Sequence, residues 1–128
     1  MNIQKLHHVA IVCSNYERSK QFYTDVLGFK IEKEIYREER KSFKLDLSLN
    51  GEYILELFSF PDPPARLTQP EAAGLRHLAF GVHNLEACIK ELLQNNIDTE
   101  RVRTDEFTSK KFTFLYDPDH LPIELYEL

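Results

Sequence analysis

The chain repeats itself, and the repeat limits what it can fold into more than any other feature. Residues 6–12, LHHVAIV, set beside 75–82, LRHLAFGV, match at Leu6/Leu75, His8/His77 and Ala10/Ala79, each 69 residues apart. Asn15/Asn84 and Glu17/Glu86 keep that offset. YILELF (53–58) then meets LPIELY (121–126), where Glu56 and Glu124 lie 68 apart, a one-residue slip consistent with a loop deletion. A duplicated period of this length marks two copies of one supersecondary unit, each with an apolar face to bury.

Each copy reads as βαβββ. A short apolar strand (about 5–12; about 75–82) leads to an asparagine placed to cap a helix. In the first half Ser19, Phe22, Tyr23, Val26 and Leu27 form a 3.6-period face, and Gly28 stops the helix. In the second half Leu85, Cys88, Ile89, Leu92 and Leu93 do the same, and Asn95-Asn96 ends it. Three strands follow: about 29–37, 42–50 and 53–60, then 97–104, 109–116 and 121–127. Asn50-Gly51 is a hairpin signal, and Asp117-Pro118-Asp119-His120 is its counterpart. The expected architecture is α+β, one domain over 1–128 built of two tandem βαβββ modules, about 1–60 and about 75–128, each forming a half-barrel sheet. The proline-rich stretch 61–74 reads as a semi-rigid connector that can also cover a cavity mouth.

The formal net charge of −5 argues against a nucleic acid partner, which needs a basic face. Small basic clusters at 37–41 and 110–111 read as solvated surface. No apolar run approaches the ~20 residues of a membrane span, and the start lacks signal-peptide features. Cys13 and Cys88, far apart and without a CxxC, read as reduced, buried thiols of a cytoplasmic protein.

The repeated polar residues carry the chemistry. Glu56 and Glu124 sit inside apolar strands, where an inward carboxylate costs several kcal/mol unless a cation or donors meet it. One such Glu can simply face solvent in an alternating strand. Two at equivalent places, following His8 and His77 by 48 and 47 residues, point instead to a ligand set. Two imidazoles and two carboxylates suit one divalent first-row ion, with Zn, Ni, Co, Mn and Fe all compatible. Pseudo-twofold pairing of the modules would bring His8, Glu56, His77 and Glu124 to one point and leave room for water or substrate. The other histidines read as surface or outer-sphere residues: His7 on the opposite sheet face, His83 at a strand end, His120 in a turn. Phe58, Phe60, Phe112 and Phe114 are candidates to line an apolar cavity beside the metal.

The segments HHVAIVCSNYERSKQFYTDVLGF, ILELF, LRHLAF and DPDHLPIELYE resemble the vicinal oxygen chelate superfamily over essentially the whole chain. The resemblance is nearest to glyoxalase I (lactoylglutathione lyase) and the small bacterial glyoxalase-like proteins. It implies the same four ligands, matched one by one, with Glu124 as catalytic base and Glu56 as its pseudo-symmetric partner. It also implies isomerisation of an α-ketoaldehyde–thiol adduct, or a similar small oxygenated substrate, through an enediolate. Val12 and Phe60 stand where glutathione-using members of the family commonly carry Arg and Asn, which implies a different thiol or substrate. Other readings are a methylmalonyl-CoA-type epimerase, or a non-catalytic metal- or small-molecule-binding resistance protein. The connector, at ~3.5 Å per residue, reaches about 50 Å. That length permits a homodimer whose sites are shared between chains, the arrangement the resemblance to short bacterial glyoxalase I also implies.

Overall fold

The computed structural model describes Met1–Leu128. The chain divides into two compact units, Met1–Ala65 and Arg66–Leu128.

In the first unit β1 (Val9–Cys13) leads to α1 (Tyr16–Gln21), which widens into a π-helical turn over Phe22–Val26. The Asn15 side chain accepts from the Arg18 N–H at 3.1 Å, the expected cap. β2 (Lys30–Arg37), β3 (Ser42–Leu49) and β4 (Glu52–Ser59) complete a sheet of order β1-β4-β3-β2. β1 runs parallel to β4, and the other pairs are antiparallel. Asn50 and Gly51 have φ of 52° and 81°, the two left-handed residues a two-residue hairpin needs to follow strand twist. Ile11, Cys13, Leu45, Leu47, Leu55 and Leu57 are buried on one sheet face, and Tyr16, Ser19, Phe22 and Tyr23 are the buried helix residues. Period-2 alternation leaves the opposite face to Ala10, Lys44, Asp46, Glu56 and Phe58.

The second unit repeats this plan with β5 (Leu78–Val82), α2 (Leu85–Gln94), β6 (Arg103–Thr104), β7 (Lys111–Tyr116) and β8 (Pro122–Glu127) in the order β5-β8-β7-β6. Asn84 caps α2 through the Ala87 N–H at 2.9 Å. The expected strand over 97–104 shrinks to two residues. The Ile97 N–H still closes the end of α2 onto the Leu92 carbonyl, and the Thr113 hydroxyl takes the Glu100 carbonyl that a ladder N–H would take. Leu93, expected on the buried stripe, is exposed at its edge. In the turn before β8 the Asp117 carboxylate accepts from the Asp119 and Leu121 N–H groups, both at 2.8 Å. His120 adopts φ 65° there, a left-handed conformation that histidine tolerates better than most residues. Both cysteines are free, Cys13 buried and Cys88 partly exposed. No helix is long and apolar enough to cross a membrane.

Helix α1 is tied to β2 by Tyr16 and Lys20, which both donate to Glu34; the lysine contact is 2.6 Å. The hydrogen bonds from Lys20 and then Tyr16 hold the Glu34 carboxyl below its ordinary value against the opposing effect of burial. A depressed carboxylate stabilises the fold above its unfolded pKa and loses that contribution as pH falls through the folded value. Glu34→Gln is therefore expected to flatten the acid limb of the stability–pH curve below about pH 5. Because the side chain is 35% exposed, the neutral-pH cost should stay under about 1 kcal/mol. Chemical denaturation at several pH values measures both; an unaltered acid limb would reject the assignment.

Candidate metal centre

In the first unit the β1–β4 register pairs Ala10 with Glu56, and His8, just ahead of β1, reaches the same carboxylate. His8 Nε2 stands 3.3 Å from Glu56 Oε2. The other oxygen, Oε1, is clamped: Lys44 Nζ lies 2.8 Å away and the Tyr53 hydroxyl donates to it. Lys44 also pairs with Asp46. Burial pushes the Glu56 carboxyl up, but Lys44, Tyr53 and His8 together outweigh it and hold the group below its ordinary value. Burial and the bond to Glu56 push the Tyr53 hydroxyl up, so it stays a donor.

Tyr53 and Lys44 escaped the sequence reading. Tyr53 is three residues before Glu56, which in a regular strand means the opposite face. A bulge between the Leu47/Leu55 and Ser48/Tyr53 pairs adds one residue to β4 and rotates Tyr53 back. Lys44 needed the strand register, since only the Lys44/Phe58 and Asp46/Glu56 pairings place it beside the carboxylate. The alternating Lys44–Asp46 pattern was the available signal. The expectation for His7 is also corrected. It lies outside β1, so strand alternation does not govern it, and its Nδ1 sits 2.8 Å from His8 Nδ1. Both imidazoles pack against the Tyr53 ring at 5.3 Å.

In the second unit Ala79 pairs with Glu124, and His77 Nε2 stands 3.2 Å from Glu124 Oε2. The surroundings differ from those of the first pair. Phe114 pairs with Glu124 as Asp46 does with Glu56, and Phe112 takes the place of Lys44. Phe114 meets the His77 ring edge-on at 5.2 Å. No lysine or tyrosine clamps Glu124, and His77 is its ion-pair partner. Phe114 lines a cavity beside His77. Phe58 and Phe60 instead stack on each other at 6.0 Å beneath the Arg37 guanidinium.

Two ligands of one ion, each bonded at about 2.1 Å, stand roughly 3 Å apart. The two His–Glu separations, 3.3 and 3.2 Å, are of that size. Neutral imidazoles with carboxylates form a donor set for divalent first-row metals, so each pair fits half of a metal site. Neither pair gathers a third His, Cys, Asp or Glu into a metal-holding cluster.

Residues 5–125 match the family model described as the Glyoxalase/Bleomycin resistance protein/Dioxygenase superfamily. The chain belongs to this superfamily. Within it, the chain is 61% identical to the protein YwkD of Bacillus subtilis (strain 168), over 99% of both chains. A solved structure, the glyoxalase family protein from Enterococcus faecalis, is 49% identical and superposes with a TM-score of 0.91, covering 99% of this chain and all of the other. The lactoylglutathione lyase of Schizosaccharomyces pombe is 28% identical over 98% of this chain and 48% of that enzyme's length. The α+β architecture of two tandem four-stranded modules is that of the glyoxalase/bleomycin resistance fold.

Proposed function

We propose that the protein is a metal-dependent, glyoxalase-type lyase or isomerase acting on a small oxygenated carbon acid such as an α-ketoaldehyde–thiol adduct. The observation that carries this reading is the same His–Glu contact, 3.3 and 3.2 Å, at equivalent places in both units. His8, Glu56, His77 and Glu124 would hold one divalent ion, Zn or Ni foremost, with the two pairs of each site drawn from two chains of a homodimer. The likeness to a lactoylglutathione lyase supports the reaction class.

When bound, the metal supplies a Lewis acid that polarises a substrate carbonyl and lowers the cost of carbanion character beside it. The chain's own groups divide the remaining work. Glu124 takes the proton from the carbon next to the carbonyl and returns it to the neighbouring carbon. Glu56 is the poorer base, because Lys44 and Tyr53 already occupy one of its oxygens. Its task is to hold charge and position. Phe112 and Phe114 exclude water on the side of Glu124, which keeps the proton with the substrate.

The test is turnover of methylglyoxal adducts of several thiols, and epimerisation of acyl-CoA substrates, with and without added metal. Glu124→Gln is expected to lower metal-dependent turnover by roughly 10²–10⁴-fold, and Glu56→Gln by less. The glutathione adduct should be a weak substrate, since Val12 is a half-exposed apolar side chain and Phe60 is packed under Arg37. Inertness of the metal-loaded protein toward every adduct and acyl-CoA would reject the enzymatic reading. Efficient glutathione-dependent turnover would reject the specificity.

A further inference from the structure

The cavity beside His77 has a volume of about 160 Å³ and draws its walls from two parts of the second unit. One wall is the segment entering the unit, with Arg66 and Arg76; the other is the open sheet face, with Arg103, Phe114 and Tyr116. Three guanidinium groups thus meet two carboxylates, Glu71 and Glu100, in one small space.

Both carboxylates are already engaged. Glu71 Oε1 lies 2.6 Å from Arg76 Nε. Glu100 accepts from Arg103 Nη2 at 3.1 Å and from the Tyr116 hydroxyl at 2.5 Å. The half-buried Arg66 has no carboxylate partner. It donates to the Leu75 carbonyl at 2.5 Å, the Arg76 carbonyl at 3.2 Å and Thr68 Oγ1 at 3.2 Å, all neutral acceptors. These bonds fix the group without neutralising it, so one full positive charge faces the cavity uncompensated. Arg103 is immobilised differently, lying 5.0 and 5.3 Å over the rings of Phe112 and Phe114. A guanidinium stacked on aromatic faces keeps N–H groups at its edge for a planar oxyanion.

We propose that this cavity is an anion subsite that takes a carboxylate or phosphate head group. Two guanidiniums, Arg66 without a carboxylate partner and Arg103 stacked on two rings while paired with Glu100, give the recess its preference for an anion. The volume exceeds by roughly tenfold the ~15 Å³ one water needs, yet falls below the ~300 Å³ at which drug-sized pockets begin. It suits a charged head group on a short carbon stub. Because the cavity touches His77, the substrate would carry its anion close to the reacting carbon. That last step rests on the proposed function, whereas the anion site itself stands on Arg66 and Arg103 alone.

The test uses the full-length protein, metal-free and metal-loaded, titrated with inorganic phosphate and separately with lactate. Binding is followed through the arginine Nε–Hε resonances, with chloride at matched ionic strength as control. Saturable shifts at Arg66 and Arg103 are expected with at least one of the two anions. The anion that binds more tightly assigns the head group as phosphate or carboxylate. Arg103→Gln, at a 50% exposed position, should weaken that binding at least about tenfold and leave metal content unchanged. Arg66→Lys keeps the charge but loses the fork, and should weaken it by less. Absence of saturable shifts with both anions, or affinity indifferent to Arg103→Gln, would overturn the subsite. Metal analysis separates the two readings: anion binding without metal retention removes the proposed function and keeps the subsite, and metal-dependent turnover without anion binding does the reverse.

Discussion

His77→Ala and Glu56→Ala chains are each expected to lose most of their bound divalent metal. In the proposed site each removed side chain is one of four protein donors, and the two variants strike opposite halves of the set. Loss of a donor should cost more than the roughly 10–100-fold typical of an outer-sphere partner. Tyr53→Phe is the internal comparison. It removes the hydroxyl that holds Glu56 Oε1 but leaves Oε2 facing His8, so its loss should fall within that smaller range. Metal content after dialysis against a weak chelator, measured by elemental analysis on folded protein, ranks the variants. Wild-type metal content in both alanine variants would remove the four-ligand proposal. Equal losses for Tyr53→Phe and Glu56→Ala would show that Tyr53 is more than an orienting group.

Mixing two crippled chains is expected to restore metal binding. One chain carries His8→Ala with Glu56→Ala, the other His77→Ala with Glu124→Ala. Each has lost one complete half-site and kept the other, and neither retained pair gathers a third donor into a metal cluster. If each metal takes one pair from each of two chains, a heterodimer contains one intact site and one empty site. Recovery should approach one metal per heterodimer, from near zero in either homodimer. Such sharing closes a twofold dimer with self-complementary contacts, and enlarges the buried core available to a 15.1 kDa chain. No recovery despite demonstrated subunit exchange would place each site within one chain.

Most of the framework was legible because its signals are local. The Asn15 and Asn84 caps need only a side chain three residues from a free N–H. The Asn50-Gly51 hairpin needs only two residues that tolerate positive φ. The last three strands of the first unit fall within a residue of their expected limits, because alternation and turns agree there, whereas β1, expected from about residue 5, begins only at Val9. The strand expected over 97–104 keeps one bond to its neighbour, from the Glu100 N–H to the Phe114 carbonyl, but the Ile97 N–H closes the helix end and the Glu100 carbonyl accepts from the Thr113 hydroxyl, contacts that periodicity does not encode.

The sequence by itself determined that the chain is a duplicated βαβββ unit, and that one histidine and one glutamate recur in each copy. Both follow from repetition, which survives in one dimension whatever the fold does. Only the tertiary structure decided what surrounds each pair. The bulge in β4 turned Tyr53 onto Glu56, and strand register brought Lys44 there while setting Phe114 beside Glu124. The two copies therefore share a His–Glu contact and differ in its electrostatics: one carboxylate is clamped by a cation and a phenol, the other is left among aromatic rings. The return of Arg66 over the second sheet likewise came from hydrogen bonds to carbonyls 9 and 10 residues along the chain. Such contacts depend on where backbone groups come to rest in space, and residue order alone does not specify that.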